Sequence, residues 1–488
     1  MKRFVNLAVV LFWLVMVGLL VHRTLPKPQP PLSPLALPAA SAPQAQEEWM
    51  GIYQQAQKIG YLQRRLTPTD TGYQWDEQWR MRLQVLNTLQ TIYTEVRADT
   101  DQRYTLTRFS FRLLSAGVVF QVTGEVAGQE LRGQMTSAGE TSPFSFPLHE
   151  PLYLPGTTQM ALRGIALQPG EEHRFSIFNP LSLHTDTISV TALGPETLSL
   201  KGEKRTVTKV AERFAGTTVH AWLDQEGNVV KEEAALGLVL LRESQEDALG
   251  GGWQDSTPLD LVTSAAIPVR QTLPDPRALT HLRLRLSGPA DAPLFAFPPR
   301  QQQQDNTLTI TREEVSTLAT YLLPQTNPEF APDLAPTPFL QSTHPRLVAQ
   351  ARQILGTERD ALQATHRLLD WTYTALDKTP TVGMPTALGT LESKKGDCNE
   401  HAVLFTALAR AAGLPARVAA GVVYVDGAFY YHAWAEVWLG QWVAVDPVFH
   451  QFPADATHVK FVEGGPEQHL ALLKVIGQLG MEVVDYKD

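Results

Sequence analysis

The chain has 488 residues, with 41 basic against 50 acidic side chains, a net charge of -9 and no basic block of the kind that grips nucleic acid. At 43% hydrophobic and 19% charged it is globular, and a wholly disordered chain is excluded. Its one cysteine, Cys398, excludes an intramolecular disulfide and any zinc site built on two or four cysteines.

At roughly 150 residues per domain, about three domains are expected. Lys2 and Arg3 precede Phe4 to Val21, an 18-residue run whose only polar side chain is Asn6. Such a run is long enough to cross a bilayer as a helix, and the basic pair favours a cytoplasmic N-terminus. Residues 1–24 are therefore expected to be a transmembrane anchor in a bacterial inner membrane, with the rest in the periplasm. A cleaved signal peptide is the alternative, although Ala40-Ser41-Ala42 lies far beyond the run. Residues 25–46 carry prolines at 26, 28, 30, 31, 34, 38 and 43, a composition that favours an extended stalk.

Residues 47–249 alternate with a period of two. Phe109, Phe111 and Leu113 are interleaved with Ser110 and Arg112, and Phe120 and Val122 with Gln121 and Thr123. Ala127-Gly128 and Asp224 to Gly227 fall where tight turns belong. The pattern predicts one curved antiparallel sheet with a buried and a wet face. It clusters no His, Asp or Glu as a site would. Residues 250–341 read as a connecting region with a few short strands, punctuated by Pro298-Pro299 and by prolines at 324, 328, 332, 336 and 338.

Residues 342–488 carry the chemistry. Leu362, Leu369, Tyr373 and Leu376 recur at helical spacing. Asp397 followed by Glu400 forms a capping-box pattern, so Cys398 opens a helix that Gly413 ends. A helix start favours a thiolate. Three strands follow, Val422 to Val425, Phe429 to Leu439 and Trp442 to Asp446. His432, Trp434 and Glu436 share one face of the second, and Asp446 on the third lies diagonal to His432. A helix-start thiol, an imidazole and a carboxylate are the parts of nucleophilic acyl chemistry.

Gly396-Asp397-Cys398, Arg410 to Arg417, His432-Ala433-Trp434-Ala435-Glu436-Val437 and Trp442 to Pro447 together resemble the transglutaminase-like superfamily core over roughly residues 342–462. The resemblance implies a papain-like α+β fold with Cys398 as nucleophile, His432 as base and Asp446 as orienting acid. It does not fix the reaction, since such proteins include crosslinkers, cysteine proteases, amidases and inactive scaffolds. No calcium-loop pattern is present, and no cofactor or metal is expected. His401, one turn past Cys398, reads as a capping or packing residue. The expectation is an α+β protein: a membrane-anchored periplasmic cysteine protease or amidase acting on a protein or peptide, without nucleic acid. A transamidase and a silent tethered scaffold are the alternatives.

Overall fold

A computed structural model describes residues 45–488, apart from 86, 116, 138, 164, 166, 201, 215–216, 235–236, 289–294, 381–382, 466–471 and 473–477. The apolar run and nearly all of the proline-rich stalk lie outside the described residues. Among the described residues, no helix is long and apolar enough to cross a membrane.

The α+β class expected from the sequence is corrected: the protein is mostly β, with 50% strand against 18% helix. One sheet of fifteen strands causes the imbalance. Eight strands, from Gln46–Gln54 to Glu140–Pro147, run outward in chain order. The chain then starts again at the opposite edge with Leu152–Tyr153 and returns until Leu238–Glu243 pairs with Gln46–Gln54. Neighbours are antiparallel throughout, except that Leu152–Tyr153 runs parallel to Glu172–Asn179. The alternation in the sequence is the cause of the two faces. Phe109, Phe111, Phe120 and Val122 are buried, while Arg108 and Arg112 on the same strands are in water. The sheet curls on itself, because Phe144 and Phe146 near one edge pack on Phe178 near the other, with ring centroids 5.8 and 6.3 Å apart.

A second, five-stranded sheet holds the candidate site. Its strands are β1 (Ile267–Pro268), β2 (Ala416–Val425), β3 (Ala428–Trp438), β4 (Trp442–Val445) and β5 (Val459–Glu463). The order is β1-β3-β2-β5, with β4 also on β3. Among the described residues, one face carries α1 (Pro345–Leu355), α2 (Ala361–Ala375), α3 (Ala387–Ser393) and α4 (Cys398–Ala411); α4 packs on the sheet, and the other three pack on α4. Their core joins Leu347, Leu368, Leu388, Leu404 and Leu408 to Ala433, Ala435, Val437 and Val445. The small alanines of β3 let α4 lie close, and α4 is buried from Glu400 to Ala409. Strand alternation therefore turns His432, Trp434 and Glu436 to the other face.

A third sheet packs on that other side. It orders Gln301–Gln304, Thr307–Thr311, His281–Ser287 and the C-terminal Gly480–Lys487, and shares a core with Val422, Phe429 and Val459. The span 250–341 thus supplies one strand to the five-stranded sheet and three to this one. The fifteen-stranded sheet meets the helical layer where Phe120 stacks on Phe339 at 6.4 Å and Gln90 Nε2 donates to the Pro380 carbonyl at 2.8 Å.

Candidate active site

Cys398 is the first residue of α4, and the helix start is locked by its cap. Asp397 Oδ1 accepts the Asn399 N–H at 3.0 Å, and Glu400 Oε2 accepts the Asp397 N–H at 3.0 Å. Gly396 sits at φ 159°, where a Cβ would collide with the Glu400 side chain that closes the box. The strand supports the same turn: Tyr431 Oη donates to Asn399 Oδ1 at 2.7 Å.

The sulfur reaches β3 at its edge. β4 pairs with β3 only from Ala435 to Trp438, and β1 only at Ala428 and Phe429. In the gap, the Ala433 N–H points at the Cys398 sulfur. Cys398 is partly exposed, yet the expected thiolate is not favoured. Burial among its neighbours pushes the thiol well above the usual range, and the charges of Asp397, Glu400 and Asp446 push the same way. The capping box that positions the helix start brings two of those carboxylates. Burial and these charges outweigh the Ala433 N–H.

His432 and Asp446 come together as the strand register demands. Ala435 pairs with Val445, so Asp446 follows one residue beyond, opposite Trp434. His432 Nε2 lies 2.7 Å from Asp446 Oδ2. Oδ1 of the same carboxylate accepts the N–H groups of Val448 and Phe449 at 2.7 and 2.9 Å. Asp446 is fully buried. Burial alone would raise its pKa, but the positive charge of either ring when protonated, together with the hydrogen bonds of His432 and His458, prevails and holds the carboxyl well below the usual range. The His432 ring is fixed by stacking, with Phe449 at 4.9 Å and 12° and Trp434 at 6.3 Å and 20°.

Sequence reasoning missed a second imidazole. His458 Nε2 lies 2.9 Å from Asp446 Oδ2, and its Nδ1 lies 3.2 Å from the Asp455 carbonyl. It is fully buried, twelve residues past Asp446 and beyond the motifs that carry the resemblance. Phe449 was missed too, and only its position three residues after Asp446 could have hinted at it. His401 is a buried packing residue whose Nδ1 meets the Asp397 carbonyl at 2.7 Å.

Asp446 Oδ2 and the two Nε2 atoms lie within 4.8 Å of one another, a spacing that a metal ion could span. Here that space is taken by the hydrogen bonds that both rings direct at Oδ2. A cavity of about 370 Å³ opens between Val118, Phe120 and Ser137 of the large sheet and Met384, Thr386 and Glu400 of the helical layer. A larger groove of about 460 Å³ lies on the large sheet among Arg97, Arg108 and Arg132 and includes none of these site residues.

Residues 348–447 match the model of the transglutaminase-like superfamily. This region is a transglutaminase-like domain. The match takes in α2, α3, α4 and β2 to β4, and so Cys398, His432 and Asp446, but stops short of His458. Among solved structures, the chain is similar to a protein from Cytophaga hutchinsonii provisionally assigned as a cysteine protease, at 18% identity and a TM-score of 0.28, covering 43% of this chain and 85% of that one. It is also similar to a β-barrel-like protein with a domain of unknown function from Brucella abortus, at 8% identity and a TM-score of 0.33, covering 42% of this chain and 100% of that one. Neither superposes closely enough to carry chemistry across. A search of curated proteins found no match.

Proposed function

We propose that the protein is a cysteine protease or amidase that cleaves a protein or peptide amide, with Cys398 as nucleophile, His432 as base and Asp446 as the group that orients the base. The observation that carries this reading is the 2.7 Å hydrogen bond from His432 Nε2 to Asp446 Oδ2 beside a helix-start thiol. With Nε2 committed to the carboxylate, Nδ1 is the nitrogen that serves the sulfur. Because burial keeps the resting thiol protonated, Cys398 needs that base to become a nucleophile.

His432 takes the thiol proton as sulfur attacks the amide carbonyl carbon. The C–N bond then breaks, the amine leaves with the proton from His432, and a thioester remains on Cys398. Water, deprotonated by His432, attacks the thioester; the carboxylic acid leaves and the thiol is restored. The cavity beside Glu400 has the size of a small-ligand pocket, about 300–1,000 Å³, and we assign it to substrate residues flanking the cleaved bond. The large sheet then forms one wall of the cleft. The basic-then-apolar N-terminal sequence supports a tethered location outside the cytoplasmic membrane, and fractionation after a high-salt wash tests it.

The test uses the full chain, fluorescent casein and a labelled primary amine. Cleavage with little amine incorporation, abolished in Cys398→Ala, is the expected result. Transfer of the label to glutamine side chains would show a transamidase instead. Undiminished cleavage by Cys398→Ala would overturn the enzymatic role of the thiol.

A further inference from the structure

We infer that His458 is a positioning residue: a buried imidazolium, held between Asp446 and Asp455, that counter-charges Asp446 and limits the field this carboxylate casts on the Cys398 thiol. The inference rests on the triad reading above and adds a fourth residue to it.

The geometry carries the argument. Both ring nitrogens of His458 face oxygen: Nε2 meets Asp446 Oδ2 at 2.9 Å, and Nδ1 meets the Asp455 carbonyl at 3.2 Å and Asp455 Oδ1 at 3.4 Å. A neutral imidazole has one donor and one acceptor, whereas oxygens on both sides are satisfied only when both nitrogens carry protons. Ionised Asp446 has no proton to give, since its oxygens already accept from Val448, Phe449 and His432. Asp455 is committed likewise, with Oδ2 on Arg277 Nη1 at 2.7 Å and Oδ1 on the Thr457 N–H at 2.7 Å. The Asp455 carbonyl also takes Arg300 Nη2 at 2.6 Å, and Arg300 pairs in turn with Glu313.

The groups around His458 therefore balance. Asp446 and Asp455 supply two negative charges, His458 and Arg277 two positive ones, and Arg300 and Glu313 cancel. His432 completes the surround, with its ring centroid 5.6 Å from that of His458. Burial opposes a charge on His458, but Asp455 and Asp446 outweigh it and raise the imidazole above its usual range. Asp446 is one of the carboxylates whose charge pushes the Cys398 thiol up. Without His458, that charge acts on the thiol with less opposition and pushes it further up.

Iodoacetamide tests this on the full chain, because Cys398 is the only cysteine and intact mass reports its alkylation alone. His458→Gln keeps an N–H donor and removes the charge. Its alkylation profile should move about one pH unit toward alkali, roughly a tenfold slower reaction near pH 6.5. A purely packing role would lower stability without moving that midpoint, and an unchanged midpoint in folded His458→Gln overturns the inference. Imidazole nitrogen NMR on the wild-type protein is the second measurement. A His458 ring that is singly protonated at pH 7 also overturns it, whether or not the variant folds. Failure of the triad reading has a different signature, full activity in Cys398→Ala.

Discussion

The large sheet and the transglutaminase-like region each bury a cluster of charges, and they balance them differently. Inside the sheet, Arg64 bonds Glu77 and Glu232, both at 2.9 Å, while Gln159 Nε2 bridges toward Glu212 at 3.0 Å. One guanidinium thus faces three carboxylates. Burial and the Glu232 charge push Glu212 up to about 7. In the transglutaminase-like region, two cations meet two carboxylates, and both Asp446 and Asp455 are held below the usual range. A buried acid remains ionised only where opposite charge and hydrogen bonds offset its desolvation. Asp446 and Asp455 have that compensation, and Glu212 does not.

The largest effect should follow from breaking the balanced cluster. Asp446→Ala leaves two imidazole N–H groups and two backbone N–H groups facing no acceptor. Loss of a buried paired charge costs about 3–5 kcal/mol, and loss of the orienting acid lowers turnover by about 10⁴-fold. Urea unfolding and peptide turnover check the two numbers separately. A variant with wild-type stability would mean that the cluster is not a coupled unit. Acid should act in the same direction. The folded acid constants of Asp446 and Asp455 lie below the unfolded value near 3.9, so the stability they add is present above that pH. It is lost as pH falls through their folded values.

The sheet should respond with the opposite sign. Glu212 has a folded value of about 7 against an ordinary 4.5, so its burial costs stability as pH rises between those two. Glu212→Gln removes the titration and can still accept the Gln159 hydrogen bond. We expect it to stabilise the protein at pH 8 by about 1–3 kcal/mol and to change little at pH 4.5. Thermal unfolding at the two pH values checks this. Equal effects at both would show that Glu212 does not titrate in that range.

The helix-start position of Cys398 and the meeting of His432 with Asp446 were legible because the constraints on them are local. Asp397 and Glu400 mark the helix start in sequence, and the two-residue period of β3 and β4 puts His432 and Asp446 within reach. The sign of the effect on the thiol was not legible. Asp397 and Glu400 count as a cap in sequence, and only their distance from the sulfur makes them a repulsive field. His458 and Arg277 were hidden for another reason. They approach Asp446 and Asp455 from segments 12 and 178 residues away, and no periodicity encodes such a meeting. The fold class failed by arithmetic. The fifteen-stranded sheet outweighs the helices, and strands at 267–268, 281–287, 301–304, 307–311 and 480–487 add to it; 267–268, 281–287 and 480–487 find their partners only at long range.

The smallest effect concerns the rim where the two regions meet. Arg346 Nη1 lies 3.3 Å from Glu140 Oε1, but both side chains are largely in water, at 44% and 40% exposure. Such pairs are screened by salt and contribute about 0–1 kcal/mol. The neighbouring contacts are of another kind: Phe339 is buried under Phe120, and Thr386 Oγ1 donates to Ser137 Oγ at 3.3 Å. Arg346→Ala should therefore shift the unfolding temperature by no more than about 1–2 °C, and the shift should vanish in 0.5 M salt. Phe339→Ala removes a core ring and should cost about 3–5 kcal/mol at any salt. If Arg346→Ala were the more damaging change, the junction would be held by its charged rim. The charges of the large sheet would then matter at its edge, whereas those of the transglutaminase-like region matter in its core.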